Sequence, residues 1–278
     1  MLVYKYVFPM ITEEESRLPL YLAGIGADGD QKRILRTEGY PEYHWLHGVR
    51  GKGKLIIQGS EYIISENMGF FFYPSVPHEY YTIEAPWETH WLTFKGHAAR
   101  SLLELLTFKR HAVFNISDMP RLEMMMNDIY TSAISGNPLR GFECSHLIYK
   151  FIIELRGCVY PINVRPKHSG HERLRPVISY IERNYHNNLS MEEISLIIGV
   201  TPQHLCRIFK NAFGMRPFEY INTYRIQKAK ELLISAANPS VKETAVSVGY
   251  NDPSYFCRMF RERDGVTPEK FKRMHSAL

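Results

Sequence analysis

Hydrophobic positions change their rhythm along the chain. From about Gly24 to Phe94, aromatic and β-branched residues come in short runs between Gly, Pro and Asn: Trp45–Val49, Gly53–Ile57, Tyr62–Ile64, Gly69–Tyr73 and His90–Phe94. Such runs predict the strands of a small antiparallel barrel or sandwich. After them, Ala98–Phe108, Pro120–Ile134 and Leu139–Val159 follow the helical period, with Phe142, Leu147, Phe151 and Leu155 on one stripe. These segments read as helices against the barrel, and a partner subunit competes with an intrachain core for their apolar faces. The stretch Pro161–Gly170 has prolines, charge and glycine but no period, as a linker does. The expected division is a domain over 1–160, a linker over 161–171 and a second domain over 172–278.

The second domain repeats itself. Ser190-Met191-Glu192-Glu193 is echoed by Ser240-Val241-Lys242-Glu243, and each S-x-x-E predicts a capping box that opens a helix. Gly199 and Gly249 follow at equal spacing, with the small residues Ser195 and Ala245 four positions before them. A short helix, a glycine turn and a small residue at the crossing are what two steeply packed helices need. Thr201-Pro202 and Asp252-Pro253 then start a second helix in each copy, a capping side chain followed by proline at the first helical position. Two helix-turn-helix units result, over 190–212 and 240–263. Between them, Pro217–Ala236 carries Tyr220, Ile221, Tyr224, Ile226, Ala229, Leu232 and Leu233 on a helical stripe. A helix of about 18 residues spans about 27 Å, long enough to hold two recognition helices roughly one DNA turn apart.

On the second helices, Leu205, Ile208, Phe209 and Ala212 share a core face, as do Phe256, Met259 and Phe260. The opposite faces carry Gln203, Cys206, Arg207 and Lys210, answered by Ser254, Cys257, Arg258 and Arg261, with His204 and Tyr255 beside them. Arg207 and Arg258 suit bidentate contact with guanine, Gln203 suits adenine, and Lys210 and Arg261 suit phosphate. Charge agrees with this reading. Residues 1–171 hold 18 Lys+Arg and 18 Asp+Glu, whereas residues 172–278 hold 16 and 11, so the whole net charge of +5 lies in the second domain.

These motifs resemble the AraC/XylS transcription regulators over residues 172–278: G-V-T-P-Q-H-L-C-R-I-F-K from Gly199, R-I-Q-K-A-K-E-L-L from Arg225, and G-Y-N-D-P-S-Y-F-C-R-M-F-R from Gly249. The resemblance implies seven helices and base contacts from Gln203, Cys206 and Arg207, then Ser254, Tyr255 and Arg258. Where Gln203 and Cys206 stand, the family often carries a larger aromatic or polar residue. The first domain resembles the cupin-like effector domain of the arabinose-responsive members through Gly51-Lys52-Gly53, Pro74–Tyr80 and Trp91–Phe94. That likeness puts Arg36, Tyr80 and Trp91 where sugar-contacting residues lie, with Trp45 and His78 as further candidates. The family's contacting histidine falls near Thr89, with His90 adjacent.

Other readings compete. Trp45 and Trp91 serve either as stackers or as core, and His44, His47, His78 and His90 raise the alternative of a metal-binding cupin. No nucleophile motif or phosphate loop supports an enzyme, and no cofactor is expected. An architectural DNA binder without a ligand is a third alternative. Cys144, Cys158, Cys206 and Cys257 lie far apart without a CxxC pair, which predicts reduced thiols. No apolar stretch is long enough for a bilayer, and the N-terminus lacks the regions of a secretory signal, so a cytoplasmic protein is expected. The expectation is an α+β, two-domain regulator: a cupin-like barrel with accompanying helices, then an all-α domain. It is expected to bind duplex DNA and a small effector, with a sugar as the candidate. A homodimer through the helices after the barrel, activation of carbohydrate uptake or utilisation genes, and contact with RNA polymerase complete the reading.

Overall fold

The structure, a computed structural model, describes residues 6–162, 170–235, 237 and 239–275. The chain divides into two units, Met1–Pro166 and Lys167–Leu278. Most of the expected linker, residues 163–169, lies outside the described residues.

The first unit runs α1 (Glu13–Ser16), β1 (Tyr21–Asp28), β2 (Ile34–Arg36), β3 (Tyr43–Ile57), β4 (Ser60–Ile64), β5 (Met68–Phe72), β6 (His78–Lys95), α2 (Ala99–Leu105), β7 (His111–Ile116), α3 (Met119–Ala133), α4 (Arg140–Cys158) and β8 (Val159–Pro161). The strands form one antiparallel sheet in the order β1-β6-β3-β5-β7-β8, with β2 paired to β6 and β4 to β3. Two runs expected as separate strands, Trp45–Val49 and Gly53–Ile57, belong to the single strand β3. The glycines bend this strand instead of ending it. Register shifts fall between Gly48 and Gly53, Gly51 takes a φ of +73°, and a Cβ on Gly53 would lie 2.2 Å from the Trp87 ring.

The bend curls the sheet. His44 pairs in register with Thr93, and Glu79, next to His78, pairs with Ile56 at the far end of β3. Yet the His44 and His78 rings lie 6.5 Å apart. Side chains alternate between the two faces of a strand, so β3 is two-sided. His44 points into the curl with Phe70 and Phe72; Trp45 points outward to Phe114 of β7 and Phe151 of α4. On the outer face, α3 buries Leu122, Met125, Met126 and Ile129, and α4 buries Cys144, Ile148, Phe151, Ile152 and Leu155. The stripe expected on α4 is rotated at its start: Phe142 is 38% exposed.

The second unit is helical: α5 (Gly170–Asn184), α6 (Met191–Leu196), α7 (Pro202–Phe213), α8 (Pro217–Leu233), α9 (Val241–Ser247), α10 (Pro253–Asp264) and α11 (Pro268–His275). It has two small cores. Leu174, Val177, Ile181, Ile194, Leu205, Phe209 and Ile221 form the first, and Ile226, Ala229, Leu233, Ala245, Val248, Phe256 and Phe260 the second. Helix α8 contributes to both. Ile221 and Ile226 lie five positions apart, about 140° around a helix, so the start of α8 faces one core and its end the other. Alanine 236, the expected end of this helix, lies outside the described residues.

Candidate functional site

The two second helices, α7 and α10, are built alike. Each has 12 residues with proline in its first turn. The Thr201 hydroxyl accepts from the His204 backbone N–H, and the Asp252 carboxylate from that of Ser254. Each ends on a left-handed glycine, Gly214 or Gly265. Leu205 and Phe209 are buried on one helix, Phe256 and Phe260 on the other. Their opposite faces put Gln203, Arg207 and Lys210, then Ser254, Tyr255, Arg258 and Arg261, in solvent, with His204, Cys206 and Cys257 half-buried. Arg207, Lys210, Arg258 and Arg261 make no ion pair among the described residues, unlike Lys228 and Lys230, which pair with Glu231 and Asp264. Arg258 lies over the Tyr255 ring at 5.1 Å, and Arg207 Nη2 is 3.5 Å from His204 Nδ1.

The helices before them differ from each other. Ser240 makes the full capping box: its hydroxyl accepts from the Glu243 N–H at 3.1 Å, and its own N–H donates to the Glu243 carboxylate at 2.7 Å. Ser190 makes only half. Its hydroxyl accepts from the Glu193 N–H at 3.1 Å, but the Glu193 carboxylate accepts the Tyr180 hydroxyl of α5 instead. This corrects the box expected in the first copy. Tyr180 supplies a donor that no local motif reveals.

Inside the curl of the sheet lies a cavity of about 570 Å³. Tyr6, Phe8, Asp28, Asp30, Gln31, Lys32, Arg36, Tyr40, His44, Tyr80, Trp91 and Thr93 line it. Of the candidates proposed above, Arg36, Tyr80 and Trp91 come together here, and His78 stands at its edge. The Arg36 guanidinium lies 4.0 Å over the Tyr40 ring, and its Nη1 is 3.4 Å from both His44 Nδ1 and His78 Nε2. Nδ1 of His78 donates to the Val76 carbonyl at 2.7 Å, which leaves Nε2 as the acceptor toward Arg36. Burial, and then the charge of Arg36, hold His44 well below its usual range. Burial likewise brings His78 down to about 4, against the hydrogen bond to Val76. Both rings are therefore neutral near pH 7. Burial pushes the Tyr80 phenol up to about 12. Trp91, Tyr6 and Phe8 tile β1 where Gly24 and Gly26 leave room, and a Cβ there would lie 3.1 or 2.9 Å from the indole.

Trp45 lies elsewhere. It is wholly buried on the outer face of β3, so its assignment to the ligand wall is corrected to core. The four histidines do not converge either: His44 and His78 face the cavity, whereas His47 and His90 face α3. There His47, His90 and Glu123 bring a ligand-type atom each within 4.8 Å of one another. Trp45 Nε1 donates to His47 Nδ1 at 3.0 Å, so the ring proton sits on Nε2 and is donated to Glu123 at 2.6 Å. His90 Nδ1 reaches the same carboxylate at 2.8 Å. A histidine that binds a metal keeps its proton on the far nitrogen and donates it outward; the far nitrogen of His47 is an acceptor. The trio is thus a hydrogen-bond clamp between sheet and α3. Burial alone would raise the Glu123 carboxyl, but the two imidazoles outweigh it and hold it at about 2.

Sequence reasoning missed Asp28, Asp30, Gln31, Tyr40 and Thr93 as cavity residues, and Glu123 in the clamp. The polar run Asp28–Lys32 at the end of a strand was the available signal. Among the described residues, no helix is long and apolar enough to cross a membrane. The four cysteines are free thiols.

Comparison with known proteins gives these parts a lineage. Residues 194–274 match the model of a helix-turn-helix domain, and residues 19–152 that of the AraC-like ligand binding domain. An HTH-type transcriptional regulator of Pseudoalteromonas carrageenovora is 37% identical over 98 residues, 35% of this chain and 57% of that one. The chain thus spans little more than half the length of that relative. The lactose operon transcription activator of Staphylococcus xylosus is 21% identical over 231 residues, 82% of both chains. A solved AraC-type regulator of Chromobacterium violaceum is 24% identical, covering 40% of this chain and 97% of its own, at a TM-score of 0.37. With an AraC-like ligand binding domain over residues 19–152 ahead of a helix-turn-helix domain over residues 194–274, this chain has the two-domain arrangement of the AraC-type transcription regulators.

Proposed function

We propose that the protein activates genes of carbohydrate uptake or utilisation, binding two successive major grooves with α7 and α10 and a sugar-type effector in the sheet cavity. Its strongest support is the match between the two second helices, each presenting cations that have no carboxylate partner among the described residues, beside polar and aromatic side chains. Arg207 and Arg258 take guanine, Gln203 takes adenine, and Lys210 and Arg261 take phosphate. His204, Cys206, Ser254 and Tyr255 contact the neighbouring edges. The cavity supports the effector: its volume suits a mono- or disaccharide, with aromatic rings beside Arg36, Asp28 and Tyr80. The alignment with a lactose operon activator along most of both chains points the same way. A homodimer through α3 and α4 would place two chains on tandem half-sites, where an activator meets RNA polymerase. The domain division expected above, 1–160, 161–171 and 172–278, belongs to the same reading.

Binding-site selection from a random duplex library tests the DNA side. Arg258→Ala is expected to weaken binding by about 1–3 kcal/mol and relax one base position, and Arg207→Ala to relax another. Unchanged affinity and preference in both variants would refute the assignment. For the effector, the full chain is screened against neutral and acidic mono- and oligosaccharides by melting temperature and by DNA occupancy. A sugar that moves both supports the reading, and a panel without any effect removes the carbohydrate.

A further inference from the structure

Arg36 is a half-buried cation in the cavity wall that no ion pair among the described residues neutralises. Among the described residues its hydrogen-bond neighbours are two imidazoles, both on Nη1 and both at 3.4 Å. The Tyr40 ring covers one face of the guanidinium. Among the described residues no carboxylate pairs with it. The acids that share the cavity are engaged by other donors: Asp28 accepts the Tyr6 hydroxyl, and Asp30 accepts the Trp87 backbone N–H at 3.2 Å. Nearby Arg33 pairs with Glu79 on the far side of the strand, so an arginine here can be paired, while Arg36 has no acid among the described residues.

Two features define what would complete it. Nε and Nη2 of a guanidinium form a planar edge that a carboxylate meets with two parallel hydrogen bonds, and that edge of Arg36 has no partner among the described residues. The imidazoles of His44 and His78 hold the other end of the group and are neutral, so they add no second positive charge. Arg36 is the half-buried cation of the lining and Lys32 an exposed one, while Asp28 and Asp30 bring two negative charges, so the site suits a monoanion, whereas a dianionic phosphate would leave charge uncompensated in a partly dry site.

Building on the reading of this cavity as the effector site, we propose that the effector is a carboxylate-bearing sugar or hydroxy acid, bound through its carboxylate to Arg36. Its hydroxyls meet the polar groups around Asp28, and its ring or chain lies along Trp91 and Tyr80.

The test uses the full chain and matched probes at equal concentration: galactose with galacturonate, glucose with glucuronate, and galactose 6-phosphate as the dianion. The expected result is a rise in melting temperature with a uronate, absent with its neutral partner and smaller with the phosphate. Arg36→Gln is expected to weaken uronate affinity roughly 10- to 100-fold, and Arg36→Lys to recover only part, because an ammonium keeps the charge and loses the fork. Equal shifts from a uronate and its neutral partner, a larger shift from the phosphate, or a uronate affinity unchanged in Arg36→Gln would each overturn the proposal. The first and third would leave the carbohydrate reading standing. Silence of every sugar, neutral and acidic, would overturn both, while DNA binding by the same samples is scored separately.

Discussion

Four histidines on one sheet end in two unlike environments because the face of the strand decides each one. His47 and His90 turn outward, where Glu123 and Trp45 fix their protons. His44 and His78 turn inward against Arg36 and lose basicity to burial and to that cation. This has a measurable consequence. The fold favours neutral His78, so the unfolded chain takes up the proton first once pH falls below 6.5, and stability declines until the folded value of about 4 is reached. A difference of that size corresponds to about 3 kcal/mol, and His44 adds to it with the same sign. The three tryptophans, Trp45, Trp87 and Trp91, all lie in the first unit, so urea unfolding followed by their fluorescence reads this unit alone. The slope between pH 6.5 and 4 is expected to shrink in His78→Gln. An equal slope in the variant would show that His78 is not held neutral.

At the scale of elements, the repeated unit is specified by caps and glycines, and the two copies use them differently. Gly199 and Gly249 both turn the chain with positive φ, +62° and +89°. Around Gly199 a Cβ would meet nothing within 4 Å; on Gly249 it would lie 2.8 Å from the His186 carbonyl and 2.9 Å from that of Tyr185. Gly199→Ala is therefore expected to cost about 1–2 kcal/mol through the left-handed backbone alone. In Gly249→Ala the packing clash adds about 1–3 kcal/mol more. Thermal melts followed by helical circular dichroism would rank them, and equal losses would mean that α5 yields at its end. The reason for the asymmetry is Arg225, whose guanidinium gathers the same Tyr185 carbonyl and that of Asn187. It thereby fastens the end of α5 to α8.

For the molecule as a whole, the unresolved demand of the first unit is on its helices. Tyr149 is 52% exposed, Ile153 40% and Phe142 38%, all on α4, with Met124 of α3 at 55%. Apolar side chains in such a group mark an interaction surface more than a solvated one, which is where the proposed homodimer would form. Tyr149→Asp combined with Ile153→Asp is expected to yield a monomer by light scattering with little change in melting temperature. The salt dependence of DNA binding would fall with it. Each phosphate neutralised contributes about −0.9 to the slope of log K against log salt, so a single chain should show about half the slope of a pair. A native protein already monomeric at working concentration would rule this surface out as the dimer contact.

What the sequence alone determined lies mainly in the second unit. Caps, prolines at the first helical turn, glycine turns and a 3.6-residue period act within a few residues, so α6 to α10, their repeat and their exposed faces could be read directly, whereas α5 and α11 entered only through the seven helices that the family resemblance implies. The helices of the first unit, α2, α3 and α4, were legible for the same reason. Tertiary structure decided the rest. Strands β1 and β7 gave no clear run, and β3 read as two strands, because a glycine that ends one strand and a glycine that bends it leave the same local trace. Nor does a run of apolar and aromatic residues tell which face meets the cavity, so Trp45 and Trp91 were open alternatives until long-range pairing sent one to α4 and the other to the cavity. The company of Arg36, from Tyr40 through His44 to His78 and Tyr80, was assembled by the curl of the sheet, and no spacing along the chain encodes it.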